Sequence, residues 1–180
     1  MIHCQLVHDP RKVLGVKQPI AGTVLLVVIA ASGMAQTTAN TSPPTKAHES
    51  KQNDVREAVL RYQISSWELA AASYCVKING KNADENFLRR FRPLPVKGAS
   101  ECRKQIPPKL PRWLYSIVDK KTKKNSVIFD IGEIRWVKQS EAQVDGGYDC
   151  ASQCMAAGTY HLAWDGTRWT VTAFDIHVQS

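Results

Sequence analysis

The chain has 180 residues, 43% hydrophobic and 22% charged, with 24 Lys+Arg against 16 Asp+Glu and a net charge of +8. It is too short for several domains and long enough for one with a real core. Its longest apolar run falls short of the roughly 20 residues that a bilayer-spanning helix needs.

That run is Ala21–Ala31, preceded by Lys17 and followed by Ser32-Gly33-Met34-Ala35. A charged n-region, a short h-region and a small-residue site mark residues 1–35 as a signal peptide cleaved after Ala35. Residues 1–15 hold His3, Cys4, His8 and Asp9, unusual in a leader, whereas a start at Val16 gives one of ordinary shape. No cysteine stands at the cleavage point, which disfavours a lipid anchor. The expected location is periplasmic or extracellular. Three basic residues and one acidic residue leave with the leader, so the remainder carries +6. Residues 36–52 are rich in Thr, Ser, Pro and Ala and lack large apolar side chains, the composition of a disordered linker. Residues 53–180 are then the single folded domain.

Within it, Asp54 with Glu57 three positions on approximates a capping box, and Val55, Val59 and Tyr62 share one face, predicting an amphipathic helix over 54–67. Ala72–Ile78 reads as a strand closed by Asn79-Gly80, and Asp84 starts a short helix burying Phe87, Leu88 and Phe91. Five prolines in 92–111 predict an irregular crossing. Beyond it, 113–118, 126–131, 134–138, 142–150, 158–164 and 168–178 read as strands with short turns, Asp165-Gly166 giving the strongest hairpin signal. Gly146-Gly147 marks a bulge or bend, since no helix follows to make a phosphate loop. The fold class is α+β, N-terminal helices packed on a curved antiparallel β-meander.

The stretches FLRRFRPLPVKGASEC (87–102), IGEIRWVKQSEAQVDGGYDC (131–150) and the closing hairpin resemble a family of small exported bacterial domains of unknown function. More remotely, the order of elements is similar to the NTF2-like cone fold, which includes SnoaL-type domains. That likeness implies a pocket for a small apolar ligand.

Four cysteines remain after export, and an even number in an oxidising compartment reads as disulfides. Cys150 and Cys154 flank three residues at a hairpin loop, leaving Cys75 for Cys102. Zinc ligation by the four thiols is the alternative. His161, Asp175 and His177 on the last two strands are weak candidates for an acid–base pair. Trp136, Trp164, Trp169, Tyr148 and Tyr160 are core or cross-strand residues, or a sugar-binding face. Between Lys81 and Lys124 stand 13 basic and four acidic residues, a solvated surface or a polyanion site. The sequence contains no Gly-x-Ser-x-Gly, no His-Glu-x-x-His and no cofactor motif.

These features point to a non-catalytic exported domain that binds a small apolar ligand or an anionic envelope partner, not nucleic acid. Membrane contact is expected only through an uncleaved leader. The rivals are a SnoaL-like enzyme using His161, Asp175 or His177, and an envelope interaction protein using the basic 81–124 surface. The exported product is expected to begin at Gln36, and N-terminal sequencing or intact mass of the native protein checks this.

Overall fold

From Val127 onward apolar and polar residues alternate almost without interruption, and the chain forms four long strands. In the computed structural model, which describes residues 46–66, 71–109 and 111–180, these are β6 (Val127–Lys138), β7 (Glu141–Ala151), β8 (Cys154–Trp164) and β9 (Trp169–Gln179). Each pairs antiparallel with the next. The leader and the first part of the expected linker lie outside the described residues.

The preceding elements are α1 (Lys46–Ser65), β1 (Tyr74–Ile78), β2 (Lys81–Asn82), α2 (Glu85–Arg89), β3 (Val96–Gly98), β4 (Cys102–Gln105) and β5 (Ser116–Asp119). All nine strands join one mixed sheet. The expected all-antiparallel meander is thereby corrected: β1 runs parallel to both β3 and β6. As the order of the predicted elements implies, α2 follows β1.

Helix α1 starts at Lys46, inside the segment expected to be a disordered linker. Asp54 is therefore an interior residue, not a cap. Its carboxylate and that of Glu57 bind the Arg90 guanidinium at 2.5 and 3.2 Å, clasping the end of α2 to α1. Val55, Val59 and Leu60 are fully buried against Phe129, Ile131, Val144 and Tyr160. Each such side chain contributes about 1.5–3 kcal/mol, against a few tenths for a helix-surface ion pair such as Glu57–Arg61. Apolar burial thus decides where the helix lies. The Gln63 amide donates to the Gly147 carbonyl at 3.0 Å and to the Tyr160 hydroxyl at 2.9 Å, fixing register.

The turn chemistry is local. Asn79 and Gly80 have φ of 51° and 70°, the two left-handed residues of a tight β1–β2 hairpin. Asp84 caps α2 by accepting from the Phe87 amide at 2.9 Å. Gly132-Glu133 does not end a strand: β6 continues through a bulge there. Residues 155–157, expected in a loop, are strand paired with 147–149, so β7 and β8 meet in a tight turn at Ser152-Gln153. The proline-rich crossing also holds regular pieces, β3, β4 and a 3-10 turn at Ala99–Glu101.

Leu162 and Trp169 are buried, and Trp136 and Trp164 both pack on Trp169 at 5.6 and 5.8 Å between ring centroids. Tyr160 stacks on Phe174 at 4.1 Å. Trp164 departs from the expected buried face, being 40% exposed at the strand end. On the opposite face of the sheet a smaller cluster forms from Cys75, Cys102 and Ile117 with Tyr115 and Ile128.

Cys75 and Cys102 come to disulfide distance, with Cα atoms 6.2 Å apart, as do Cys150 and Cys154 at 5.4 Å. The sequence separations, 27 and 4, set unequal loop entropies. Replacing Cys75 and Cys102 by Ala is expected to lower unfolding free energy by about 3.5 kcal/mol, and replacing Cys150 and Cys154 by about 2 kcal/mol. Urea denaturation of the two double variants checks both values and their order.

Candidate functional site

The strand alternation that sends Ala142, Val144, Tyr160 and Leu162 toward α1 sends Gln143, Asp145, Thr159 and His161 to the outer face. Register then builds cross-strand rows there. Asp145 lies opposite Thr159, which lies opposite Asp175, and Gln143 lies opposite His161. The Thr159 hydroxyl donates to Asp145 at 2.8 Å, and both terminal nitrogens of Arg135 on β6 donate to the same carboxylate. The Arg135 hydrogen bond is the main reason that the Asp145 carboxyl is held below the usual carboxylate range.

His161 and Asp175 meet across β8 and β9: Nε2 is 2.8 Å from Oδ2. The other ring nitrogen, Nδ1, is 3.5 Å from the Gln143 amide nitrogen. The Nε2 bond to Asp175 is of ordinary length, whereas the Nδ1 contact with Gln143 stands at the outer limit of hydrogen bonding. The Asp175 side chain is 64% exposed. His177 does not join this pair. It falls at an irregularity in β9, opposite the Ala157–Gly158 step, and its electrostatic influence is on Asp145.

An open groove of about 1040 Å³ crosses this face. In sheet order its lining runs from Lys77, Asn79 and Gly80 beside β1, across Asp130, Asp145, Gly147, Ala157 and Thr159, to His177 and Val178 on β9, with Lys104 of β4 also lining it. A Cβ on Gly147 would come within 2.0 Å of the Ala156 carbonyl oxygen, so only glycine permits strands this close. The groove presents backbone, one arginine clamp and charges of both signs. Among the described residues no group of three or more His, Cys, Asp or Glu side chains is placed to hold a metal.

The buried charge lies elsewhere. Asp119, 1% exposed, accepts from Lys97 Nζ at 2.5 Å, from the Ser73 hydroxyl at 3.1 Å, and from the amides of Lys121 and Thr122 at 2.7 and 2.8 Å. Ser73 also bonds Ser126 at 2.8 Å. This knot joins the residue before β1, strand β3, the end of β5 and the start of β6. The Lys97 hydrogen bond, then the turn amides, hold the Asp119 carboxyl far below its ordinary value. Neither the knot nor the Arg135–Asp145–Thr159 row was singled out from sequence. The knot had a local signal, since Asp119 followed by Lys-Lys-Thr is the pattern of a side chain capping its own turn.

Within the basic segment 81–124 some cations are paired. Lys97 is consumed by Asp119, and Lys104 contacts Asp149 at 3.3 Å and the Tyr115 ring at 4.0 Å. The lysines of 120–124 stand exposed on a turn whose backbone Asp119 caps.

Compared with protein-family models, with curated proteins and with solved structures, the chain has no match.

Because the Asp119 pKa is lowered on folding, its stabilisation is fully present above the unfolded carboxylate value near 4 and is lost as pH falls toward the folded value. Asp165, held at about 2 mainly by the Thr167 hydroxyl, adds to the same trend. Stability is expected to be level above about pH 5 and to fall steadily below about pH 4. Asp119→Asn is expected to flatten most of that acid slope and to lower the unfolding midpoint at neutral pH. Urea unfolding measured across pH checks both.

Proposed function

We propose that this is an exported, non-catalytic domain whose outer sheet face binds an extended partner in the cell envelope. The observation that carries the reading is the open groove that crosses β6–β8, lined by Arg135, Asp145 and His177 and by the glycines 132, 146, 147 and 158. An open groove with charges of both signs along it suits an elongated partner better than a small enclosed ligand. Export is supported by the leader pattern and by four cysteines standing in two pairs at disulfide distance. Among the described residues no helix is long and apolar enough to cross a membrane.

An NTF2-like cone would put its ligand on the apolar face of the sheet. In this chain α1 covers that face with Val55, Val59 and Leu60, which is why we place binding on the other side. The SnoaL-like enzyme reading has one feature in its favour, the 2.8 Å His161–Asp175 bond. The exposure of that pair counts against it.

A photoreactive amino acid placed at Ala157, exposed in the groove, is expected to capture one partner in intact cells. The same residue at Lys51, exposed on α1, is expected to capture none. Arg135→Ala combined with Asp145→Ala is expected to cut capture from position 157 at least tenfold, the effect of losing one charge-paired contact of about 1.4 kcal/mol. Equal capture from both faces would reject the reading.

A further inference from the structure

The described residues of the β4–β5 tip, 106–109 and 111–115, lie beyond the Gln105–Ser116 pair and outside the lining of the groove. It combines two properties that seldom coincide on a loop. Trp113 is 64% exposed and Ile106 is 51% exposed. From Cys102 to Val118 there are four basic residues and no acidic one. Lys104 is taken up by Asp149 at the base of the tip, whereas Lys109 and Arg112, both exposed, form no ion pair among the described residues. Trp113 enters no ring contact among the described residues, in contrast to Trp136, Trp164 and Trp169.

The C-terminal end of the tip is tied to the sheet. Pro107, Pro108 and Pro111 fix three φ angles. The Leu114 amide bonds the Pro111 carbonyl at 2.9 Å, the Tyr115 carbonyl accepts from Ser152 at 3.1 Å, and the Tyr115 hydroxyl donates to Asp149 at 3.1 Å.

We propose that this tip docks on an anionic lipid bilayer. Trp113 and Ile106 enter the interfacial layer, where an indole has both apolar and polar neighbours, and Lys109 and Arg112 meet the headgroup charge. A soluble polyanion would satisfy the cations but leave the tryptophan and isoleucine in water, so a bilayer accounts for both halves of the feature. This adds a membrane contact on the folded domain to the one expected of the leader. It uses a surface other than the groove, so loss of one binding activity leaves the other measurable.

The test compares the full chain, Trp113→Phe, and Lys109→Gln combined with Arg112→Gln. Each is mixed with phosphatidylcholine vesicles with and without phosphatidylglycerol. Binding is expected to require phosphatidylglycerol and to weaken with salt. The double charge variant is expected to bind about 30-fold less tightly, from about one kcal/mol per cation. Phosphatidylglycerol with brominated chains is expected to quench a component of the tryptophan emission that Trp113→Phe lacks. That readout reports the tip itself, whatever the leader contributes to partitioning. Equal binding to both lipid types, an unchanged double variant, or quenching that survives Trp113→Phe would each overturn the proposal. So would tight binding of dextran sulfate without binding to vesicles, which would assign the tip to a glycan.

Discussion

Burial of Val55, Val59 and Leu60 against the β6–β9 sheet is the constraint on which the rest of this structure depends. A strand has two faces, and a slip of one residue exchanges them. Once α1 claims the face carrying Phe129, Ile131, Val144 and Tyr160, alternate residues of the four long strands face outward between their bulges. Asp145, Thr159 and His161 therefore come to lie in neighbouring rows. None of their own contacts is strong enough to place them, since exposed ion pairs contribute about 0–1 kcal/mol each. The helix positions the outer face from the other side of the sheet, through apolar burial and the Gln63 bond to the Gly147 carbonyl.

Charge is used in two ways that the structure keeps apart. Asp119 is sunk to 1% exposure and surrounded by four donors that join separate strands. Leaving any donor out would strand a buried anion, so this knot serves architecture. Asp145 is half exposed and holds Arg135 at the rim of a groove. Solvent screens that pair, which makes it cheap to rearrange when another molecule arrives. The same residue type is thus structural in one place and available for recognition in the other, and depth separates the two.

Most of the β architecture was legible in the chain. Period-two alternation located the meander, and Asn79-Gly80, Asp84 and Asp165-Gly166 marked turns and a cap from their own side-chain chemistry. The start of α1 was not legible, because Lys46–Gln52 is polar and its helical state is decided by extension of a helix packed further along. The split of Asp54 and Glu57 away from capping had no local sign either. Their partner, Arg90, is more than thirty residues away. At the candidate site, His161 and Asp175 were visible as chemistry-bearing residues, but their facing relation depends on the β8–β9 register and its bulge.

What the sequence determined by itself is the set of local, periodic facts: a leader pattern, an α+β class, the long strands and their turns, and a hairpin that brings Cys150 near Cys154. These follow from side chains acting within a few residues of one another. What only the tertiary structure decided is the parallel seating of β1 beside β6, the knot around Asp119, the facing of His161 and Asp175, and the covering of the apolar face by α1. Each joins residues far apart in the chain. Such contacts are selected by the total apolar area that the packed layers bury, a quantity that no short window of sequence contains.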